Sequence, residues 1–467
     1  MWYGGRALRG SVVCVAMTLL YAGSSAHAES FTDALTSAYH NNPSLEAERA
    51  KLRATDEQVA QALGGWRPDI EADAEAGKAR QNASGNGFPV NSGNVTPRDT
   101  NLTITQPVFS GFRTVAEVRS AKAAVMAQRA DLADAEQKLL LDAAKAYLDV
   151  VEDQRTLAID QNQESVLQTE LDEVKDRLHI GELKKTDVAQ AQSRLKGVMV
   201  SRLQAEGDLA SRRMTYMRVV GQMPDQLEQP DLTLDLPKTD EDVVNLALRN
   251  NPVVIAAAYG AQAAHADIIS AQGNLLPQVN LVGSLTDSVD QSSLSPEREN
   301  SASIVAKMSV PLYRSGIDYS KTRAAQQAAA QKKFELQDAR DRTRESTQNA
   351  WEAFTTAQAA VKGFGEVVDA ASDALDGVRT EAKFGTRTTL DILNAEQELL
   401  QDKISLVKAE HDEALALLEL RAAIGELTAE SLHLPVTIYD PAQNYNRVHN
   451  QWAGFAQNTQ DNPGDKP

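Results

Sequence analysis

The chain repeats itself, and this duplication limits its possible folds more than any other feature. Asn41-Asn42-Pro43 recurs 209 positions later as Asn250-Asn251-Pro252. Farther along, the offset becomes 204 positions, as between Gly221 and Gly425. The change of five indicates one insertion, which we place in the Gly-, Asn- and Ser-rich segment 81–98, predicted to be a loop. The sequence therefore predicts two copies of one structural unit joined by a linker.

Each copy begins with a helix, followed by two strands and a very long helix. In the segment 69–76, acidic residues alternate with apolar ones, the pattern of a strand with one apolar face. No proline lies between Val108 and Met223, and no glycine within the 69 residues from Phe112 to Ile180. As one helix, that segment would be about 100 Å long. Apolar residues repeating every seven positions favour a coiled-coil packing of these helices.

The first residues of the chain have the pattern of a secretory signal. Arg6 and Arg9 precede an apolar stretch, and Ala26-His27-Ala28 is a small-x-small cleavage site. An uncleaved N-terminal anchor is the alternative. Cys14 is the only cysteine, so a mature chain would be exported without disulfides or a lipid-modified cysteine.

These patterns together define the expected domains. The boundaries are a signal peptide at 1–28, a first repeat at 29–221 with strands at about 66–80 and 99–110, a linker at 222–240, a second repeat at 241–434 with strands at about 276–287 and 301–312, and a polar C-terminal tail at 435–467. We expect the first helix of each repeat to run without a break, over 30–63 and 240–272. We expect the tail to be surface-bound or disordered and dispensable.

Composition excludes several classes of function. The chain has 47 Lys and Arg against 65 Asp and Glu, a net charge of −18, which argues against a nucleic-acid partner. After residue 28 we find no apolar run near the roughly 20 residues of a membrane-spanning helix. The seven histidines are scattered without metal-binding spacing, and nucleophile and nucleotide motifs are missing. We therefore expect no enzyme activity, no cofactor and no metal site.

Four amphipathic strands per chain match the length of outer-membrane barrel strands, about ten residues. A barrel must close to pair its edge strands, and single-chain barrels start at about eight strands. Three chains would supply twelve. Aromatic residues cluster where strands meet helices, as in an interfacial girdle or, alternatively, a small local core. These aromatics are Trp66, Phe109, Phe112, Tyr313 and Tyr319.

With its duplicated layout, its Asn-Pro helix starts and the motif from Gly385 to Leu393 (GTRTTLDIL), the chain resembles the TolC family of outer-membrane efflux ducts over about residues 30–430. The resemblance implies an α+β membrane protein: a homotrimer with a twelve-stranded barrel in the lipid of the Gram-negative outer membrane, continued by a twelve-helix periplasmic tunnel. Such a duct serves tripartite efflux or type I secretion, together with a periplasmic adaptor protein and an inner-membrane transporter. A soluble periplasmic coiled-coil adaptor or scaffold is the alternative.

The resemblance also implies roles for residues at the helix tips. A gate ring would contain Asp391 and Asn394, a closed-state latch would join Arg387 to Thr186 and Asp187, and adaptor docking would use Ile180, Gly181, Phe384 and Gly385. The chain departs from the family at two points: Asn394 replaces an aspartate and Ala382 a tyrosine. The simpler alternatives are a helix cap for Asp187 and a solvated surface acid for Asp391.

Overall fold

The computed structural model describes residues 30–85, 88–232, 239–291 and 298–454. The predicted signal peptide and Cys14 lie outside them. In chain order the elements are α1 (Phe31–Asn41), α2 (Pro43–Gly64), β1 (Asp69–Ala76), β2 (Ala79–Gly85), β3 (Phe88–Val95), β4 (Arg98–Phe109), α3 (Arg113–His179), α4 (Lys185–Val220), α5 (Asp240–Asn250), α6 (Pro252–Gly273), β5 (Gln278–Val289), β6 (Arg298–Ser309), α7 (Ile317–Lys383), α8 (Thr389–Ala423) and α9 (Gln443–Val448).

The first helix of each repeat is broken, where the sequence predicted one continuous helix. Asn42 is extended, with φ −79° and ψ 118°, because the residue before a proline disfavours helical geometry. Its side chain accepts a hydrogen bond from the backbone N–H of Ser44 at 2.9 Å and caps α2, which begins with Pro43. Asn251 does the same for α6, accepting from the N–H of Val253 at 2.9 Å.

The strands form a four-stranded antiparallel sheet in the order β1-β4-β5-β6. The loop predicted at 81–98 was wrong, because β2 and β3 pair there as a separate antiparallel hairpin. Gly, Asn and Ser favour turns, but hairpin pairing uses backbone groups and tolerates these side chains. The second repeat has only β5 and β6, and the residues 292–297 between them lie outside the described part.

Two helices of 67 residues, α3 and α7, leave the sheet and extend for about 100 Å each. The helices α4 and α8 pack back along them. The largest core lies along the first repeat and centres on Tyr39, Tyr147 and Tyr216, none more than 2% exposed. Tyr147 donates a hydrogen bond at 2.9 Å to the carbonyl of Glu228 in the inter-repeat linker. This core therefore holds the linker against the helices.

The C-terminal tail packs against the first repeat as far as residue 454. Tyr439 and Tyr39 lie on the guanidinium of Arg49, at 5.1 and 4.7 Å from ring centroid to Cζ. Asn444 of α9 donates a hydrogen bond at 2.8 Å to Asp56, which is fully buried in α2. The described tail is therefore an ordered strap across α2, contrary to the alternative of a disordered segment.

By length and composition alone, helix α6 could cross a membrane. The sequence analysis did not predict such a helix. Helix α6 packs on α3 and α7 instead, yet only 11% of its most apolar window is buried. A single chain therefore leaves much of this apolar helix uncovered.

Candidate functional site

The pairing register sorts the sheet into one apolar and one polar face. Ile70 lies opposite Ile104, Ile104 opposite Gly283, and Gly283 opposite Ile304, so one apolar row crosses all four strands. Because side chains alternate between faces, the neighbouring rows lie on the opposite side. One of these rows contains Glu71, Thr103, Ser284 and Ser303, and a 2.8 Å hydrogen bond joins the two serine hydroxyls. A sheet with these faces suits lipid on one side and water on the other.

Both outer strands of this sheet are open. The residues of β1 and of β6 are exposed along their whole length, and neither strand has a second partner within the described residues. Ile304 in β6 is 80% exposed. An exposed apolar edge strand readily pairs with another chain.

The predicted girdle residues lie at the sheet–helix junction, but in different settings. Phe109 and Phe112 pack edge to face with ring centroids 5.3 Å apart, although Phe112 is also 59% exposed. Trp66, Tyr313 and Tyr319 are 46%, 78% and 53% exposed, as an interfacial role requires. Four of the five rings are therefore exposed at the junction, and one of these, Phe112, also packs on Phe109.

The two helix tips have the same turn. The N–H of Gly385 bonds the carbonyl of Ala382 at 3.0 Å, and the N–H of Thr386 bonds that of Glu381 at 3.1 Å. This is a Schellman motif, which requires the left-handed backbone of Gly385, φ +78°. Gly181 ends α3 in the same way with φ +82°. Ile180 and Phe384, the residues just before the glycines, are 70% and 81% exposed.

Asp391 caps α8, and its charge is retained. Its Oδ2 atom accepts hydrogen bonds from the backbone N–H and the hydroxyl of Thr388, both at 2.8 Å. The backbone bond, helped by the hydroxyl, holds the pKa of Asp391 below its usual value, so the carboxylate is ionised at neutral pH. Asp187 has the same place in α4, where it accepts from the N–H of Lys184 at 2.8 Å; the N-cap residue is Lys184, so Asp187 is not itself the N-cap that its spacing suggested.

The other predicted tip residues have partners within the chain that the sequence did not indicate. Arg387 donates to Glu381 at 2.8 Å and, within the described chain, makes no contact with Thr186 or Asp187. Asn394 accepts a hydrogen bond from Arg194 of α4 at 2.9 Å. Arg194 lies 200 positions earlier, so no local motif could have indicated it.

One buried acidic pair near the tips was missed. Glu170 of α3 lies beside Glu396 of α8, which is 2% exposed and accepts a hydrogen bond at 2.7 Å from Arg379 of α7. Burial and the adjacent Glu396 carboxylate raise the pKa of Glu170 to about 8. The pair joins the two helical hairpins of one chain.

An amphipathic sheet with open edges, continued by helices of about 100 Å, is typical of an outer-membrane protein that extends far into the periplasm. The family model described as outer membrane efflux protein matches residues 34–222 and 243–426. The chain belongs to the outer membrane efflux protein family.

Known relatives are similar to this chain over most of its length. The outer membrane efflux protein BepC of Brucella suis is 32% identical over 433 residues, 93% of each chain. The outer membrane protein TolC of Vibrio cholerae is 26% identical over 417 residues, 87% of this chain and 92% of that one. The crystal structure of the outer membrane protein VceC of Vibrio cholerae has a TM-score of 0.74 at 19% identity, covering 85% and 96% of the two chains.

Family membership determines the location and general role of the chain. It is an outer-membrane efflux protein with a helical tunnel portion in the periplasm, and it is a transport duct, not an enzyme. The alternative of a soluble periplasmic adaptor is inconsistent with this family and with the apolar face of the sheet.

Proposed function

We propose that three chains form one exit duct, in which twelve strands close a barrel and the long helices form a tunnel. The observation that carries this proposal is the sheet with an apolar face and two open, antiparallel edges. Because β1 and β6 run in opposite directions, β6 of one chain can pair antiparallel with β1 of the next. Closure removes every edge, which a hydrocarbon environment requires.

The helices support the same assembly. The helices α3 and α7 have 67 residues each, but 24 residues are buried in α3 and only four in α7. Phe334 of α7 is 73% exposed, and most residues of the apolar helix α6 are only half-buried. Neighbouring chains packed along α6 and α7 would cover these surfaces.

The tips would form the gate and the docking surface of this duct. Asp391 serves both as helix cap and as a charged ring, since its capping bonds keep the carboxylate ionised and fixed. Three such carboxylates at a constriction favour cations. Asn394 adds amide groups, not charge, to this entrance. The exposed Ile180 and Phe384, held by Gly181 and Gly385, would contact a periplasmic adaptor, which links the duct to an inner-membrane transporter for drug efflux or type I secretion.

The latch would act between chains. Arg387 is exposed, and its partner Glu381 lies on its own helical hairpin. In a trimer, Arg387 could exchange Glu381 for Thr186 and Asp187 of a neighbouring chain. Surface ion pairs are weak, which suits a latch that partner docking opens.

Native mass spectrometry and planar bilayers together test the duct. We expect the detergent-extracted protein to be a trimer and to conduct as single channels. Multivalent cations should block the current at low concentration in the wild type but not in Asp391→Ala. The control is Glu398→Ala, an exposed acid on the same helix that should leave block unchanged. A monomer without conductance would contradict the duct, and unchanged block in Asp391→Ala would remove Asp391 from the constriction.

A further inference from the structure

Three potential metal-ligand groups converge between the two repeats, far from the tips. Asp149 and Glu152 lie on α3 and His411 on α8, and one ligand atom from each lies within 4.8 Å of the others. Asp149 is 5% and His411 9% exposed. Sequence spacing could not indicate this group, because Asp149 and His411 are 262 positions apart.

The surrounding side chains already orient these ligands. Arg212 of α4 donates to Oδ2 of Asp149 at 2.8 Å, while Oδ1 of Asp149 lies 3.0 Å from Nε2 of His411. On the other side of the imidazole, Nδ1 lies 3.1 Å from a carboxylate oxygen of Asp412. Nδ1 also lies 3.8 Å from a carboxylate oxygen of Glu152, so acidic oxygens face the imidazole at both of its nitrogens. Carboxylates that hold the second nitrogen of a histidine in this way are common around bound zinc.

The cluster has more negative than positive groups. Within the described part of the chain, the ion-pair partners of Asp149, Glu152, Asp153 and Asp412 are Arg212 and His411. Oδ2 of Asp153 is buried and lacks a hydrogen-bond partner, and the nearest cationic atom, Nε of Arg212, is 3.9 Å away. A buried acidic excess of this kind favours an additional cation.

We propose that Asp149, Glu152 and His411 bind a divalent transition-metal ion of the Zn²⁺ type, which fastens α3 to α8. One imidazole nitrogen with two carboxylates suits Zn²⁺ better than Mg²⁺ or Ca²⁺, which prefer oxygen ligands alone. Ligand atoms on one tetrahedral zinc are about 3.4 Å apart, so the side chains must move inward by about 1 Å. Water would complete the coordination. The proposal does not depend on the gate.

Calorimetric titration of the full-length protein in detergent with Zn²⁺ tests the site. We expect one Zn²⁺ per chain with micromolar or tighter affinity, and at least tenfold weaker binding in His411→Gln. The control is His265→Gln, which removes an exposed histidine of α6 and should leave the affinity unchanged. Glu152→Gln should also weaken binding. Agreement between these two variants shows that the loss does not come from misfolding of one of them.

Substitution with Co²⁺ gives a second readout, because its visible absorption reports nitrogen ligation and coordination number. We expect a spectrum of four- or five-coordinate Co²⁺ in the wild type and in His265→Gln, and its loss in His411→Gln. Undiminished Zn²⁺ binding in His411→Gln would overturn the proposal. So would the absence of micromolar binding in the wild type, which would leave the cluster as an ion-pair network around a protonated histidine.

Discussion

At the scale of single residues, the helix tips depend on two glycines with left-handed backbones. Gly385 has φ +78°, and a Cβ atom built there would meet no atom within 4 Å. Any cost of adding a side chain is therefore conformational and not steric. For an alanine in this backbone region it is about 1–2 kcal/mol.

We predict that Gly385→Ala weakens the tip turn by about 1 kcal/mol. Native-state hydrogen exchange at the amide of Thr386, which bonds Glu381, measures this change. The control is Gly377→Ala, an exposed glycine inside α7, where alanine should stabilise the helix by about 0.5–1 kcal/mol. Unchanged protection of Thr386 in Gly385→Ala would show that the left-handed turn does not hold the tip together.

The sequence predicted helix ends where the residue that ends the helix acts on its own backbone. The tip glycines act through their own backbone geometry, so the ends of α3 and α7 lie close to them, but the break that the Asn-Pro pair makes before α2 was not predicted. Partners of Arg387 and Asn394 could not be read in this way. Glu381 competes for Arg387 from the same helical hairpin, and Arg194 approaches Asn394 only after α4 and α8 have packed together.

At the scale of elements, the carboxyl group of Glu170 on α3 lies beside Glu396 on α8, and its pKa is raised there. The folded-state pKa of Glu170, about 8, lies above its ordinary value of 4.5. Between these values the folded chain holds a proton that the unfolded chain has lost, so stability falls as pH rises through this range. Above pH 8 Glu170 becomes ionised, and its charge is then opposed by burial and by the acidic side chain of Glu396.

We predict that α3 around residues 167–174 loses about 1–2 kcal/mol of protection between pH 6 and pH 9, after allowance for solvent screening. Hydrogen exchange corrected for intrinsic rates measures it. Glu170→Gln keeps a neutral donor, so this variant should abolish the pH dependence and exceed the wild type in protection at pH 9. Glu398→Gln is the matched control and should keep the wild-type slope. An equal slope in Glu170→Gln would assign the effect to other groups.

At the scale of the whole molecule, the duplication and period-two patterns predicted the order of long helices and main strands, because both are repeated along the chain. The β2–β3 hairpin was missed, since its Gly- and Asn-rich residues lack alternation. A surface-bound tail was one of the two alternatives that the sequence left open, but the place where it packs was not predicted. Its anchor, Asn444, bonds Asp56 at a distance of 388 positions, and such a contact has no local pattern. The association of three chains is proposed from the exposed surfaces of one chain.

The two faces of the sheet provide a test of how the whole molecule inserts. Ile304 and Val305 are adjacent, exposed residues in the middle of β6, but Ile304 belongs to the apolar row and Val305 to the opposite face. Lysine at the bilayer midplane on the lipid side costs about 2–4 kcal/mol per chain. Three chains that insert together would bear this cost three times.

We therefore predict that Ile304→Lys abolishes or strongly reduces trimers in outer-membrane extracts, while Val305→Lys assembles and conducts. Lys307, two positions beyond Val305 on the same face, shows that the native sheet already accepts a lysine there. Semi-denaturing electrophoresis of membrane extracts measures assembly, and planar bilayers measure conductance. If both variants assembled equally well, β6 would not present its Ile304 face to lipid. If Val305→Lys failed and Ile304→Lys assembled, the faces would be reversed, with the apolar row towards the lumen.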